Sequence, residues 1–277
     1  MADISVALIK KLREYTGAGI MECKKTLIEV NGDINLAIEH MRKSSAIKAL
    51  KKVNNVAING IIRVKIFNNY GIILELNCET DFVTKNNCFV NFADKLINRI
   101  SLDPAIDLVS LKKQFEQERV SLVSKIGENI QINRLGILEG EKLGMYMHRD
   151  RIGVLVSGIN INEILIRKIA MHIAASQPVF VKPEDIPNNI LEKEREIQMA
   201  IAIKSTKSKK IAEKIIEGRM RKFENDISLT GQTFVMDSNK TVNEILQEQN
   251  ARIIEFIRFE VGEKSEQDKF ILKLRNK

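Results

Sequence analysis

One pattern occurs twice in this chain, and it restricts the fold more than any composition value does. The stretch "GIIRVKIF", then Asn68-Asn69, then "YGIILELNC", changes the hydrophobic period to two around a pair of asparagines. Asparagine tolerates the left-handed backbone of a tight turn, so the stretch reads as a β-hairpin. The helical segment "CFVNFADKLINRI" follows, with Phe89, Phe92, Ala93 and Leu96 along one face. Further on, "NRLGILEGEKLGMYMH" leads into "RDRIGVLVSGIN", with Arg149-Asp150 at the turn, and "EILIRKIAMHIAAS" comes after it. The two hairpin–helix units read as an internal duplication. Side by side they would give one α+β core.

The flanks are helical. Val6, Leu8, Ile9 and Leu12 repeat at helical spacing until "TGAG", where Gly17 and Gly19 stop the segment. A second helix carries Met21, Leu27, Ile28 and Val30 and breaks at "NGD"; Asp33 then caps a third, with Ile34, Leu36, Ala37, Ile38 and Met41. These three helices predict a small bundle, left by the linker "KKVNNVAING". Two Lys- and Glu-rich helical stretches are expected after the first hairpin unit, one of them from about Leu108 to Lys125. Pro178, Pro183 and Pro187 punctuate the chain before two consecutive helices broken at "KSTKSKK". Such a pair packs as an antiparallel hairpin, with Leu191, Ile197 and Ile201 facing Ile211, Ile215, Met220 and Phe223. A last strand alternates at Ile257, Phe259 and Val261, and would complete the second β unit, making the helical hairpin an insertion.

Composition excludes more than it assigns. The 277 residues suit one large domain or two to three small ones. No apolar run reaches the ~18 residues of a membrane helix, and the N-terminus has the form of neither a signal nor a transit peptide. Cys23, Cys78 and Cys88 form no even framework and no Cys-x-x-Cys pair, which points to a reducing cytoplasm. A net charge of +8 invites a nucleic-acid partner. Lys and Glu alternate through most helices, however, and 5% aromatic content is poor for stacking on bases.

The chain offers little for catalysis. "TGAGIMECKK" fails the spacing of a phosphate-binding loop and follows a helix, so it reads as a helix stop. His40, His148 and His172 lie far apart, with no zinc-ligand spacing and no nucleophile elbow. His172 sits on an apolar helix and is expected to pack there; His148, at a hairpin turn, faces solvent or a partner. Glu79 and Asp81 have no defined third partner. No cofactor and no metal ligand is expected. Phe82 stands apart. It follows two acids at the mouth of a loop, either as a core plug or as a group meant for something outside the protein.

Several segments resemble the bacterial elongation factor Ts family: "LREYTGAGIMECKKTLIEVNGDINLAIEHMRKS", "NYGIILELNCETDFV", "KIGENI", "IAMHIAAS" and "SLTGQTFVMDSNKTV", in this order and spacing. The resemblance runs over essentially the whole chain; the tail after Gly262 is shorter and less familiar. It implies a non-catalytic guanine nucleotide exchange factor for the translational GTPase elongation factor Tu, in its GDP-bound and nucleotide-free states. It implies no direct nucleic acid or membrane partner, and it is compatible with a homodimer or a 2:2 complex. The implied organisation is a UBA-like three-helix module (1–54), a first core subdomain (55–140) and a second (141–187 and 226–262). An inserted coiled-coil hairpin (188–225) and a C-terminal module (263–277) complete it. The Asp-Phe of this family is a probe pushed between two helices of the GTPase near its Mg²⁺ site. Here that implies Asp81 and Phe82, flanked by Thr80 and Val83. Lys24, Ile126, Gly127, His148, Val235 and Met236 are implied as further partner contacts.

Two readings compete with exchange: a basic RNA-binding or ribosome-associated protein, and an enzyme built on Asp81, His148 and a cysteine. Release of labelled GDP separates the first reading from both, and a steep salt slope of RNA binding would mark the second.

Overall fold

The computed structural model describes residues 4–205 and 209–263, so all but the first residue of the C-terminal module expected at 263–277 lies outside the described residues. Helices and small sheets combine in an α+β fold. Contacts divide the chain into two compact units, Met1–Arg63 with Leu74–Leu135, and Val64–Ile73 with Gly136–Lys277.

In the first unit, α1 (Val6–Thr16), α2 (Ile20–Glu29) and α3 (Ile34–Lys52) enclose Ile9, Leu12, Cys23, Leu27, Ala37 and Met41. The helix ends have identifiable causes. Ser5 accepts a hydrogen bond from Leu8 N–H, and Asp33 accepts from Asn35 and Leu36, caps worth about 1 kcal/mol each. Gly17 ends α1 at φ 66°, a left-handed backbone that suits glycine. Strands β1 (Asn59–Phe67) and β2 (Tyr70–Cys78) form the hairpin, with Asn68 left-handed at φ 54°. Helix α4 (Asn87–Leu102) follows, then α5 (Leu108–Ile126). Phe92 of α4 meets Phe115 of α5 edge-on at 6.2 Å. One helix stands where two Lys- and Glu-rich stretches were expected. The residues between α4 and α5 form only a short turn, and Asp107 caps α5 by accepting from Ser110 N–H.

Strand β3 (Gln131–Glu139) joins β1 and β2 in the order β1-β2-β3, so β2 is central and buried along nearly its whole length. The segment "NRLGILEGEKLGMYMH" is therefore not one hairpin arm. It divides at Gly140, where an added Cβ would lie 2.2 Å from the Ser157 hydroxyl.

The second unit continues with β4 (Lys142–His148), β5 (Ile152–Ile159), α6 (Glu163–Ser176), α7 (Asn188–Ser205) and α8 (Lys209–Ile227). Next come β6 (Thr233–Phe234), β7 (Asp237–Thr241), α9 (Val242–Glu248) and β8 (Arg252–Glu260). Strand β5 pairs antiparallel with both β4 and β8, so the last strand does complete this sheet. Arg149 and Asp150 both have positive φ, 48° and 56°, as the central pair of a primed β-turn requires, and Arg151 N–H closes the turn onto the His148 carbonyl at 3.0 Å. Helix α6 packs Leu165, Ile166, Ile169, Ala170 and Ile173 into the core with Val154 and Val156.

The seam between α7 and α8 differs from the expected one. Ile197, Ile201 and Ile211 are exposed, and the buried set is Ala202, Ile216, Met220, Phe223 and Ile227, joined by Ile186. Glu194 is buried too; Gln198 donates to it at 2.6 Å and accepts from Arg219 at 3.2 Å. Met220 and Phe223 of α8 are buried as expected and Leu191 packs against them, whereas farther along α7 a polar ladder and a small alanine stand in place of Ile197 and Ile201. Replacing residues 198–219 by a short Gly/Ser connector would remove, among the described residues, Ala202 and Ile216 from the buried set. The expected result is a folded protein whose melting temperature moves by no more than about 4 °C. An insoluble or molten product would show that the hairpin holds the second unit together.

Candidate functional site

Strand β2 delivers the chain into a tight loop. Beyond Cys78, Glu79 and Thr80 lead to Asp81 and Phe82, and a single 3₁₀ turn at Val83–Lys85 hands the chain to α4. Phe82 is 82% exposed, and Asp81 beside it is exposed as well. The next residue is the anchor: Val83 is buried. Asp81 carbonyl accepts from both the N–H (3.2 Å) and the hydroxyl (2.6 Å) of Thr84, which folds the loop back beneath Phe82. Asn86 caps α4 by accepting from Cys88 N–H at 2.9 Å.

Thr80 has no polar group to spare. Its N–H and hydroxyl donate to the two oxygens of Glu128 at 2.9 and 2.6 Å, and its carbonyl accepts from the Cys78 thiol at 3.1 Å. Glu79 N–H also donates to Glu128, at 3.1 Å. In return the Glu79 carboxylate accepts from Asn129 N–H at 2.6 Å and from the Asn55 side chain at 2.9 Å. Burial opposes the charge on Glu79, but these two donors and nearby Lys52 outweigh it and hold its pKa below the ordinary glutamate value. Burial, with the charges of Glu128, Asp81 and Glu79, pushes the Cys78 thiol up to about 12. Cys78 thus stays protonated and serves as a donor.

Glu128 lies just past the C-terminus of α5, where Gly127 takes the left-handed cap at φ 84°. Gly127 is exposed and Ile126 half-buried. The structure therefore brings the 79–82 loop and the 126–129 loop together through Glu79, Glu128 and Asn129. Lys24 stands exposed on α2.

In the second unit, Val235 and Met236 form the exposed turn between β6 and β7, at 49% and 43% exposure. Beneath them lies His172, fully buried on α6 and stacked on Phe234 at 5.7 Å. Its Nδ1 accepts from Val235 N–H at 3.2 Å, which leaves the proton on Nε2 to donate to Gln232 at 2.9 Å. Burial lowers the His172 pKa from the ordinary 6.5, with the Gln232 bond as a smaller opposing effect. The unfolded chain therefore takes up this proton at higher pH than the folded one. The stability so conferred is present above about pH 6.5 and is lost as pH falls through the depressed folded value. Thermal melts between about pH 7.5 and about pH 5 should fall more steeply for the wild type than for His172→Gln. Parallel curves would show that His172 is not the titrating group. His148 ends β4, exposed, with the Tyr146 hydroxyl 3.3 Å from its Nδ1.

Sequence reasoning missed Glu128, Asn129 and Gln232. Glu128 and Asn129 fall inside the quoted "KIGENI", but nothing in that string says that they reach residues some fifty positions earlier. Among the described residues no group of three or more His, Cys, Asp or Glu side chains is placed to hold a metal ion. No helix of the described residues is long and apolar enough to cross a membrane.

The site's segments have counterparts in known proteins. A sequence model described as Elongation factor TS matches residues 79–263. An elongation factor Ts of Cronobacter sakazakii is 58% identical over 263 residues, covering 95% of this chain and 93% of that protein. One from Serratia proteamaculans is 58% identical over the same shares, and one from Escherichia coli is 57% identical. With two thirds of its length matched by the family model and nearly all of it by these relatives, the chain belongs to the elongation factor Ts family.

Proposed function

We propose that this chain is a cytoplasmic guanine nucleotide exchange factor for elongation factor Tu, and that Asp81-Phe82 is the element it inserts into the GTPase. The observation that carries the reading is Phe82: a large apolar ring, 82% exposed, on a loop whose main chain is tied down on the inner side. An exposed aromatic on an anchored loop is the form of a hot spot awaiting a pocket. Thr80 and Val83 act here as supports, one hydrogen-bonded inward and the other buried, and Asp81 and Phe82 face the partner. Lys24, Ile126, Gly127, His148 and the Val235-Met236 turn widen the contact.

Exchange makes and breaks no covalent bond. The factor and the nucleotide weaken each other's binding by one shared coupling free energy. A ten-thousand-fold effect needs about 5.5 kcal/mol, whereas burying one Phe contributes about 1.5–3 kcal/mol. Phe82 therefore works with a second effect. In this reading that effect is displacement of the GTPase's Mg²⁺, which bridges protein and phosphates. The other contacts hold the nucleotide-free state until GTP binds. The test is release of labelled GDP from purified elongation factor Tu with and without the chain. Unchanged release at saturating chain would end the proposal.

A further inference from the structure

An exposed aromatic gains nothing from exposure alone. A loop that must be ordered at the moment of binding loses part of the binding free energy to that ordering. The loop carrying Phe82 is ordered before any partner arrives, and two crossed acids do it. Glu128 gathers three donors, the N–H groups of Glu79 and Thr80 and the Thr80 hydroxyl, on its two carboxylate oxygens. Glu79 reaches the other way and accepts Asn129 N–H, next to Glu128. The side chain of Asn129 then donates to the carbonyls of Val53 (3.3 Å) and Asn55 (2.8 Å), and Asn55 donates back to Glu79. The loop, the end of α5 and the strand of chain leaving α3 thus share one hydrogen-bonded brace.

Closing a surface loop does not by itself call for this arrangement. It gathers acids in one corner of the fold, where the charges of Glu128, Asp81 and Glu79 all act on the Cys78 thiol. A neutral Gln at this position would offer one acceptor oxygen where Glu128 uses two. What the carboxylates supply is charge-assisted bonding, roughly twice as strong as neutral bonding and forked onto consecutive donors.

We propose that Glu128, crossed with Glu79, is a positioning residue for nucleotide exchange, holding the main chain of Glu79 and Thr80 so that Phe82 is presented already ordered. This rests on the exchange reading above. Glu128 acts through Phe82.

The experiment is a double-mutant cycle on GDP release from elongation factor Tu, with Glu128→Ala, Phe82→Ala and the pair, and with Glu128→Gln alongside. Melting curves establish that each variant is folded. Glu128→Ala should slow the saturating release rate by about 10- to 100-fold, as loss of charge-assisted bonds implies, while the half-saturating concentration moves far less. Glu128→Gln, which keeps one acceptor oxygen, should fall between the alanine variant and the wild type. In the Phe82→Ala background, Glu128→Ala should cost less than about 3-fold further, because coupled residues are not additive. Amide exchange at Glu79 and Thr80 should lose protection in Glu128→Ala. An equal fold-loss in both backgrounds would overturn the proposal, as would a wild-type rate in folded Glu128→Ala. Should the alanine variant not fold, a wild-type rate in Glu128→Gln would overturn it instead. Failure of the exchange reading is seen separately, as a wild-type rate for Phe82→Ala alone.

Discussion

Phe82→Ala should leave the protein as stable as the wild type and slow GDP release from elongation factor Tu about 10- to 100-fold. Both halves follow from its position. At 82% exposure the ring makes few contacts within the chain, and its neighbours are held by Glu128 and Val83 rather than by the ring. A surface truncation of this kind changes stability by about 0.5 kcal/mol or less. A buried Phe→Ala costs about 3–5 kcal/mol. The two outcomes do not overlap, so one melting curve decides whether Phe82 supports the core. The rate is decided on the other side. A ring that enters a pocket of the partner contributes about 1.5–3 kcal/mol there, and its loss appears as that factor in the release rate. Stopped-flow release of a fluorescent GDP, at saturating concentration of each variant, measures it. A large drop in melting temperature with unchanged release per folded molecule would make Phe82 a plug after all.

Much of the fold was legible because period and punctuation agreed. The hairpin turns at Asn68-Asn69 and Arg149-Asp150, the stop at Gly17 and the cap at Asp33 each rest on local chemistry that a few residues determine. In the α7–α8 seam Met220 and Phe223 were legible but the α7 side was not, because apolar periodicity assumes that helices pack through their most apolar stripe. Here Glu194, Gln198 and Ala202 occupy the seam, and Ile197 and Ile201 face outward. Strand β3 escaped for a related reason. Alternation marks a strand but not its neighbour, and the break at Gly140 is visible only once Ser157 is in place above it. At the site, Phe82 was conspicuous as an aromatic among polar residues. Its brace was not, since Glu128 and Asn129 are ordinary polar residues until the fold sets them against Glu79 and Thr80. Buried ion pairs are invisible for the same reason: Glu75 and Arg134 meet at 2.5 Å across strands β2 and β3.

Stimulation of GDP release should depend on Mg²⁺ concentration, and the dependence should reside in Asp81 and Phe82. In the exchange reading proposed above, a Mg²⁺ effect belongs to the GTPase and its nucleotide. A loop that carries an exposed carboxylate beside an exposed ring can act on that ion twice. In the exchange reading the ring would separate the elements around the metal, and the charge would compete with or repel its ligands. Chelating Mg²⁺ removes the bridge directly, so unassisted GDP release should speed up and the fold-stimulation by wild-type chain should shrink. Asp81→Ala combined with Phe82→Ala should remove most of the Mg²⁺-dependent stimulation and retain a residue of exchange from the remaining contacts. The double variant should therefore show a nearly flat stimulation across a Mg²⁺ series, while the wild type rises with Mg²⁺ and meets it at the chelated end. Because coupling between factor and nucleotide is reciprocal, the same series should show the chain binding GDP-loaded elongation factor Tu more tightly once Mg²⁺ is removed. Equal fold-stimulation at every Mg²⁺ level, for wild type and double variant alike, would mean that the loop opens the nucleotide site without touching the metal, and the weakening would then have to come from contacts to the phosphates or the base.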